Sequence, residues 1–202
     1  MSCLILIRHG NTELNSASRF CGQNDTELSV LGINQAEQLG ERLAVEKANA
    51  VYSSDLCRAA KTAGMVAQRH RLDVTICPEL REINFGVVDG LTFEETSQLY
   101  PGLTKSWFTR DLDFHFPNGE SVSELNNRVH KFIPRLQEHV QTDTILIVAH
   151  GGVLKLMICH LLGLEPWHWR QFRLDLASIS VIETYPELAV MKLLNDTTHL
   201  RV

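Results

Sequence analysis

Two stretches of this sequence place the same features in the same order. Cys3-Leu4-Ile5-Leu6-Ile7-Arg8-His9-Gly10 and Thr144-Ile145-Leu146-Ile147-Val148-Ala149-His150-Gly151-Gly152 are apolar runs of strand length that end abruptly in histidine and glycine. A strand covered on both faces has no use for an imidazole, so the chemistry belongs to its carboxyl end. If the two strands are neighbours, His9 and His150 face one another across a single site. The glycines after His150 open a helical pattern from Val153 to Leu162. Its free amides and positive dipole end point at the same place, which suits an anion. Arg8 adds a planar guanidinium beside His9, and Arg58, following Ser53-Ser54-Asp55, adds another. Neither fits a buried role without a carboxylate or phosphate partner, so the anion these residues predict is phosphate.

Holding two strand ends side by side requires a sheet, and the rest of the chain supplies one. Shorter strand candidates lie at 49–53, 73–77, 178–184 and 188–194, the last two joined through Tyr185-Pro186-Glu187 as an antiparallel hairpin at an edge. Val30 to Lys47 carries Ile33, Ala36, Leu39 and Leu43 at helical spacing, with Ser29 as N-cap. A second helix follows Ser54, with Leu56, Ala59, Ala60, Ala63, Val66 and Ala67 on its stripe. Thr92 with Glu95, and Ser121 with Glu124, match the capping-box spacing. The first opens a short helix that stops before Pro101. The second opens a long one with Val122, Leu125, Val129, Phe132, Leu136 and Val140 on one face, bent at Pro134. Residues 101–118 show no period and read as a loop or lid, with Trp107, Phe108, Phe114 and Phe116 as its packing residues. The alternation predicts an α/β fold: a three-layer α/β/α sandwich with a mostly parallel sheet of about six strands and one antiparallel edge strand. Ligands of such sheets bind outside the carboxyl ends of the strands, where the connection order reverses.

Composition narrows the function classes. At 202 residues with 44% hydrophobic content, the chain is long enough for one well-buried core and short for two. A single domain over residues 1–202 is expected, with a lid-like segment around residues 84–120. The net charge of -5 and the lack of a basic stripe argue against nucleic acid as a partner. No apolar run approaches bilayer length, and no secretory signal is visible, so no membrane is expected and the location is read as cytoplasmic. The five cysteines, 3, 21, 57, 77 and 159, are scattered and contain no C-x-x-C pair, which predicts reduced thiols and no metal.

Arg8-His9-Gly10 with Asn15 resembles the signature of the histidine phosphatase superfamily, which includes the cofactor-dependent phosphoglycerate mutases. Phe20, Gly22, Asp25, Leu28, Ser29, Gly32 and Gln35-Ala36 resemble the segment that follows it. Ser53-Ser54-Asp55-Leu56-Cys57-Arg58-Ala59 resembles the second arginine motif, Leu80-Arg81-Glu82-Ile83-Asn84-Phe85-Gly86 the acid motif, and Val148-Ala149-His150-Gly151-Gly152 the second histidine motif. An isolated R-H-G is weak; four motifs in order are specific. The resemblance implies a phosphohistidine on His9, with Arg8, Arg58, His150, Asn15 and the Gly151 amide holding phosphate oxygens. It casts Glu82 as the group that gives a proton to the leaving alkoxide and takes one from water, a role that requires a raised pKa. Phe20, Cys21, Gly22 and Gln23 become substrate-contacting candidates. No metal or other cofactor enters, and P-loop and C-x5-R signatures are missing.

Each residue also has a structural reading. A single histidine at a strand end is more often a hydrogen-bonded structural group; two in equivalent positions, each followed by glycine and accompanied by arginine, are not explained that way. Glu82 could pair with Arg81, and Asn15 could cap a helix. His70, His115, His130, His139, His160, His168 and His199 fall on helix flanks or loops and are expected to contact solvent. Mutases of the superfamily follow the acid with added cations; here Ile83-Asn84-Phe85-Gly86-Val87-Val88-Asp89-Gly90 offers none. The resemblance therefore favours a metal-independent phosphomonoesterase acting on a small-molecule phosphate ester, as a monomer or homodimer. Phe116-Pro117-Asn118-Gly119-Glu120-Ser121 and Leu193 to Leu200 are similar to bacterial α-ribazole phosphatases of cobalamin assembly, which makes α-ribazole 5'-phosphate a candidate substrate. Phosphoglycerate mutase and a non-catalytic phospho-ligand binding module are the alternatives.

Overall fold

The computed structural model describes residues 2–140 and 142–200. In chain order they form β1 (Ser2–Arg8), α1 (Glu13–Ser16), α2 (Val30–Leu43), β2 (Ala50–Ser53), α3 (Cys57–His70), β3 (Val74–Ile76), α4 (Phe93–Leu99) and α5 (Leu103–Trp107). These are followed by α6 (Val122–Phe132), α7 (Pro134–Gln137), β4 (Thr144–Ala149), α8 (Gly151–Leu161), β5 (Ile179–Thr184) and β6 (Ala189–Asp196). One six-stranded sheet runs in the order β3-β2-β4-β1-β5-β6. The first four strands are mutually parallel, and β5 is antiparallel to both β1 and β6, which forms the edge. The predicted α/β/α sandwich with one antiparallel edge is the fold observed.

Strand pleating sends alternate side chains to opposite faces, and the two halves of the core follow from it. Leu4, Leu6, Ile145 and Ile147 pack with α6 and α8 through Leu125, Val129, Leu154 and Ile158. Ile5, Ile7, Leu146 and Val148 pack on the other face with α2 and α3 through Leu39, Leu43, Ala63 and Val66. The central strands are thus buried on both sides, as their unbroken apolar runs require.

Helix ends follow the capping chemistry. Ser29 Oγ accepts from the Gly32 amide, and both predicted capping boxes are present, Thr92 with Glu95 and Ser121 with Glu124. The helix expected over 30–47 stops at Leu43, and the long one after Ser121 divides at Pro134 into α6 and α7. The 101–118 segment is not all loop. It contains α5, and buried Trp107 and Phe116 anchor it against Phe85, while Phe108 is exposed. Packing against an aromatic cluster there supplies what the missing period does not.

Five of the histidines expected to contact only solvent have hydrogen-bond partners, His115, His130, His139, His160 and His168. His139 shares a 2.8 Å hydrogen bond with the Tyr52 hydroxyl, and His130 and His160 approach within 2.8 Å. All five cysteines are free thiols. Among the described residues, no helix is long and apolar enough to cross a membrane.

Candidate active site

The register of β1 on β4 sets Arg8 beside Ala149, so His9 and His150 leave the sheet as neighbours. Their ring centroids are 5.0 Å apart. Both are buried, and burial, reinforced by the nearby Arg58 and Arg8 charges, pushes each well below the ordinary imidazole pKa. A neutral ring has one N–H. His9 Nδ1 lies 2.7 Å from the Gly10 carbonyl, which can only accept, so the proton sits on Nδ1. Arg58 Nε, 3.3 Å from His9 Nε2, can only donate, so Nε2 carries a lone pair. The two contacts agree on one tautomer and leave Nε2 as a nucleophile.

Arg58, completely buried at the start of α3, is fixed by carbonyls: Nη1 donates to Asn24 and Nη2 to Gly22. Asp25 caps the same helix, accepting from the Cys57 amide at 2.7 Å. Arg8 Nη1 donates to the Leu174 carbonyl at 2.7 Å, while its Nε is buried without a partner. His150 Nδ1 and Nε2 are likewise buried and unpartnered among the described residues. Unsatisfied buried donors are rare and costly. Here they gather beside the two arginines, where a tetrahedral oxyanion would satisfy them together.

Glu82 does not pair with Arg81, which binds Asp55 instead. Its carboxylate oxygens each lie 3.1 Å from the Gly152 amide, and Oε1 also accepts from Ile83 at 3.0 Å. Arg128 holds the loop from beneath, donating to the carbonyls of Glu79, Arg81 and Glu82 and to both oxygens of Glu120. At Gly151 an added Cβ would stand 3.6 Å from Arg8 Cζ and 3.7 Å from Glu82 Oε2, so the backbone comes close to both groups. Its amide, at the first position of α8, has no intrahelical acceptor.

A cavity of about 250 Å³ opens over these groups, lined by Arg8, His9, Glu82, Gly151 and Gly152. Asn15, Phe20 and Cys21 line it too, together with Arg19, Phe85 and Lys155. Thr12 rather than Asn15 caps α1, and its hydroxyl donates to Asn15 Oδ1, leaving the Asn15 amide NH2 for the cavity. Gly22 and Gln23 serve the site from behind: the Gly22 carbonyl accepts from Arg58, and the Gln23 side chain donates to the Glu82 carbonyl. A larger cavity, about 460 Å³, lies between α7 and the β5–β6 turn, but it gathers neither arginine nor the strand-end histidines.

Besides Arg19, the motifs left one more cavity residue unflagged, Lys155. The signal was there: it follows Gly151 by four residues, so the two share a helix face. Phe85 stands three residues after Glu82 inside the acid motif, and its ring meets Phe20 at 4.9 Å.

Two imidazoles and two guanidiniums at the carboxyl ends of a parallel α/β sheet define an anion-handling protein with a neutral histidine in nucleophilic form. The family model for the histidine phosphatase superfamily (branch 1) matches residues 4–197, and the chain belongs to that superfamily. It is 34% identical to the alpha-ribazole phosphatase of Shigella flexneri, whose crystal structure superposes with a TM-score of 0.89 over 96% of each chain. It is 34% identical over 197 residues to phosphoserine phosphatase 1 of Hydrogenobacter thermophilus, covering 98% of this chain and 93% of the relative. It is 35% identical over 201 residues to the probable phosphoglycerate mutase GpmB of Salmonella paratyphi C, covering 96% and 93%.

Proposed function

We propose that this chain is a metal-independent phosphomonoesterase working through a phosphohistidine at His9. The observation that carries the reading is the tautomer of His9, whose Nε2 lone pair is presented beside Arg58 while Nδ1 is tied to the Gly10 carbonyl. Arg8, Arg58, His150, the Asn15 amide and the Gly151 N–H take the three non-bridging oxygens of the ester and spread their charge. His9 Nε2 attacks phosphorus; the N–P bond forms as the ester O–P bond breaks, and Glu82 delivers a proton to the departing oxygen. Water then attacks phosphorus from the vacated side and gives its proton to Glu82. The N–P bond breaks, and phosphate leaves with His9 restored.

Phosphatase is favoured over mutase because the chain from Ile83 to Gly90 brings no cation to the cavity. The candidate substrates are small phosphorylated metabolites. α-Ribazole 5'-phosphate comes first by the similarity of residues 116–121 and 193–200, and phosphoserine follows from a relative's name. Brief mixing with a labelled ester should yield an acid-labile, base-stable protein label that His9→Ala abolishes, at a rate unaffected by chelators. A label that survives the substitution, or an activity that needs Mg2+, overturns the mechanism. Phosphoglycerate isomerisation stimulated by bisphosphoglycerate would establish the mutase instead, and phosphate binding without turnover of any ester would establish a binding module.

A further inference from the structure

The phosphate end of the cavity accounts for Arg8, Arg58 and His150, but the cavity holds two further cations, Arg19 and Lys155. Lys155 stands one turn along α8 from Gly151, on the face that looks into the site. It is half-buried and enters no hydrogen bond or ion pair among the described residues. Its ammonium has the ring of buried Trp169 behind it, 5.8 Å away, and the cavity in front. The other charged residues of the cavity wall near it are engaged. The oxygens of Glu82 accept from the Gly152 and Ile83 amides. Arg19, the remaining cation on the wall, is held by Glu95 at 2.7 Å and by the Gly90 carbonyl.

An ammonium removed from water without a partner costs free energy, and that cost is recovered when an anion arrives. Burial, with the Arg8 charge adding to it, accordingly pulls the Lys155 pKa below the ordinary lysine value. Phosphate itself has closer ligands. Positions four apart on a helix, as 151 and 155 are, lie about 5–6 Å from one another, so a group reaching Lys155 lies a few bonds along the substrate from phosphorus.

We propose that Lys155 is a specificity residue that pairs with a second anionic group on the substrate, a carboxylate or a second phosphate near the ester. This rests on the phosphomonoesterase reading above and reorders its candidates. Compact acids such as phosphoserine move ahead of α-ribazole 5'-phosphate, whose ribose and base carry no second anion.

Matched pairs differing in that group test it: phosphoserine against phosphoethanolamine, 3-phosphoglycerate against glycerol 3-phosphate, and 1,3-bisphosphopropane against propyl phosphate. The native enzyme should prefer the doubly anionic member of at least one pair. Lys155→Met should lower that preference, read as a ratio of kcat/KM values, by about tenfold or more, mainly through KM, and Lys155→Arg should keep it. A loss confined to the bisphosphate pair identifies the second anion as phosphate, and a loss confined to the first two pairs as carboxylate. A ratio that Lys155→Met leaves unchanged in every pair overturns the inference while hydrolysis of the simple esters upholds the phosphatase. If no ester is turned over, the phosphatase reading falls, and calorimetric binding of the same pairs decides on Lys155 alone: equal affinities within each pair overturn its role.

Discussion

Substituting Gly152 should separate proton delivery from phosphate holding. A Cβ added there would sit 2.5 Å from Glu82 Oε1 and 3.3 Å from Leu125 Cδ2. The leucine methyl can yield by tenths of an ångström. The carboxylate must retreat about 0.9 Å to restore ordinary contact, and in retreating it leaves the amide that aligns it. A displacement near 1 Å can cost about 10²-fold in rate, and general acid catalysis contributes about 10²–10⁴-fold in all. Gly152→Ala should therefore lower kcat for alkyl phosphates by about 10²-fold, approaching Glu82→Gln. For nitrophenyl phosphate, whose leaving group needs no proton, the loss should stay under about tenfold. The neighbouring change provides the contrast. The Cβ of Gly151→Ala would project between Arg8 and Glu82, where phosphate oxygens belong, and should weaken every ester alike, chiefly in KM. Alanine is a better helix former than glycine, so neither variant should unfold, and thermal melts check this. Equal losses on nitrophenyl and alkyl phosphates for Gly152→Ala would refute the assignment of Glu82 as proton donor.

Two further outcomes follow from the same geometry. His9 and His150 are held neutral with pKa values well below the ordinary value of 6.5, so the unfolded chain binds more protons than the native one as pH falls through 6.5. Their contribution is fully present above that pH and is progressively lost as pH falls from 7.5 to 5.5. Urea unfolding at the two pH values should show this loss, and the double variant His9→Gln/His150→Gln should flatten it; an unchanged slope would contradict the burial argument. Arg128→Ala removes five hydrogen bonds and leaves Glu120, whose side chain is only 15% exposed, with the Asn84 amide as its side-chain partner. It should destabilise the fold by about 2–3 kcal/mol, and a change under about 0.5 kcal/mol in denaturant titration would show that the loop is held by other means.

The strand ends were legible because imidazole and guanidinium are incompatible with the apolar runs that precede them, and that incompatibility needs no structure to be seen. Glu82 was legible only as part of a motif, since an Arg-Glu pair on a surface loop looks the same in sequence. Its separation from Arg81 depends on Asp55, distant in sequence, taking the arginine. For Lys155 the spacing to Gly151 gave the helix face but not the burial, because a lysine in the first turns of a helix is ordinarily solvated and nothing local reveals that Trp169 stands behind it. Helix α5 escaped for a related reason: five residues cannot display a period, and the aromatic cluster that holds them is assembled from residues 85, 107 and 116. The tautomer of His9, on which the chemistry turns, is set by a backbone carbonyl and has no sequence signature.

The strand order also bears on how the chain comes off the ribosome. Both neighbours of β1, namely β4 and β5, are made after residue 143, so β1 has no partner while the intervening chain is synthesised. At ordinary elongation rates that interval is on the order of ten seconds. Throughout it a strongly apolar segment is exposed, its arginine and histidine attached to nothing that could orient them. Nascent chains should therefore be prone to aggregate and be natural clients of chaperones that shield short hydrophobic segments. Translation paused or truncated ahead of β4 leaves His9 without His150 beside it, so the site is complete only once synthesis and folding have passed β4.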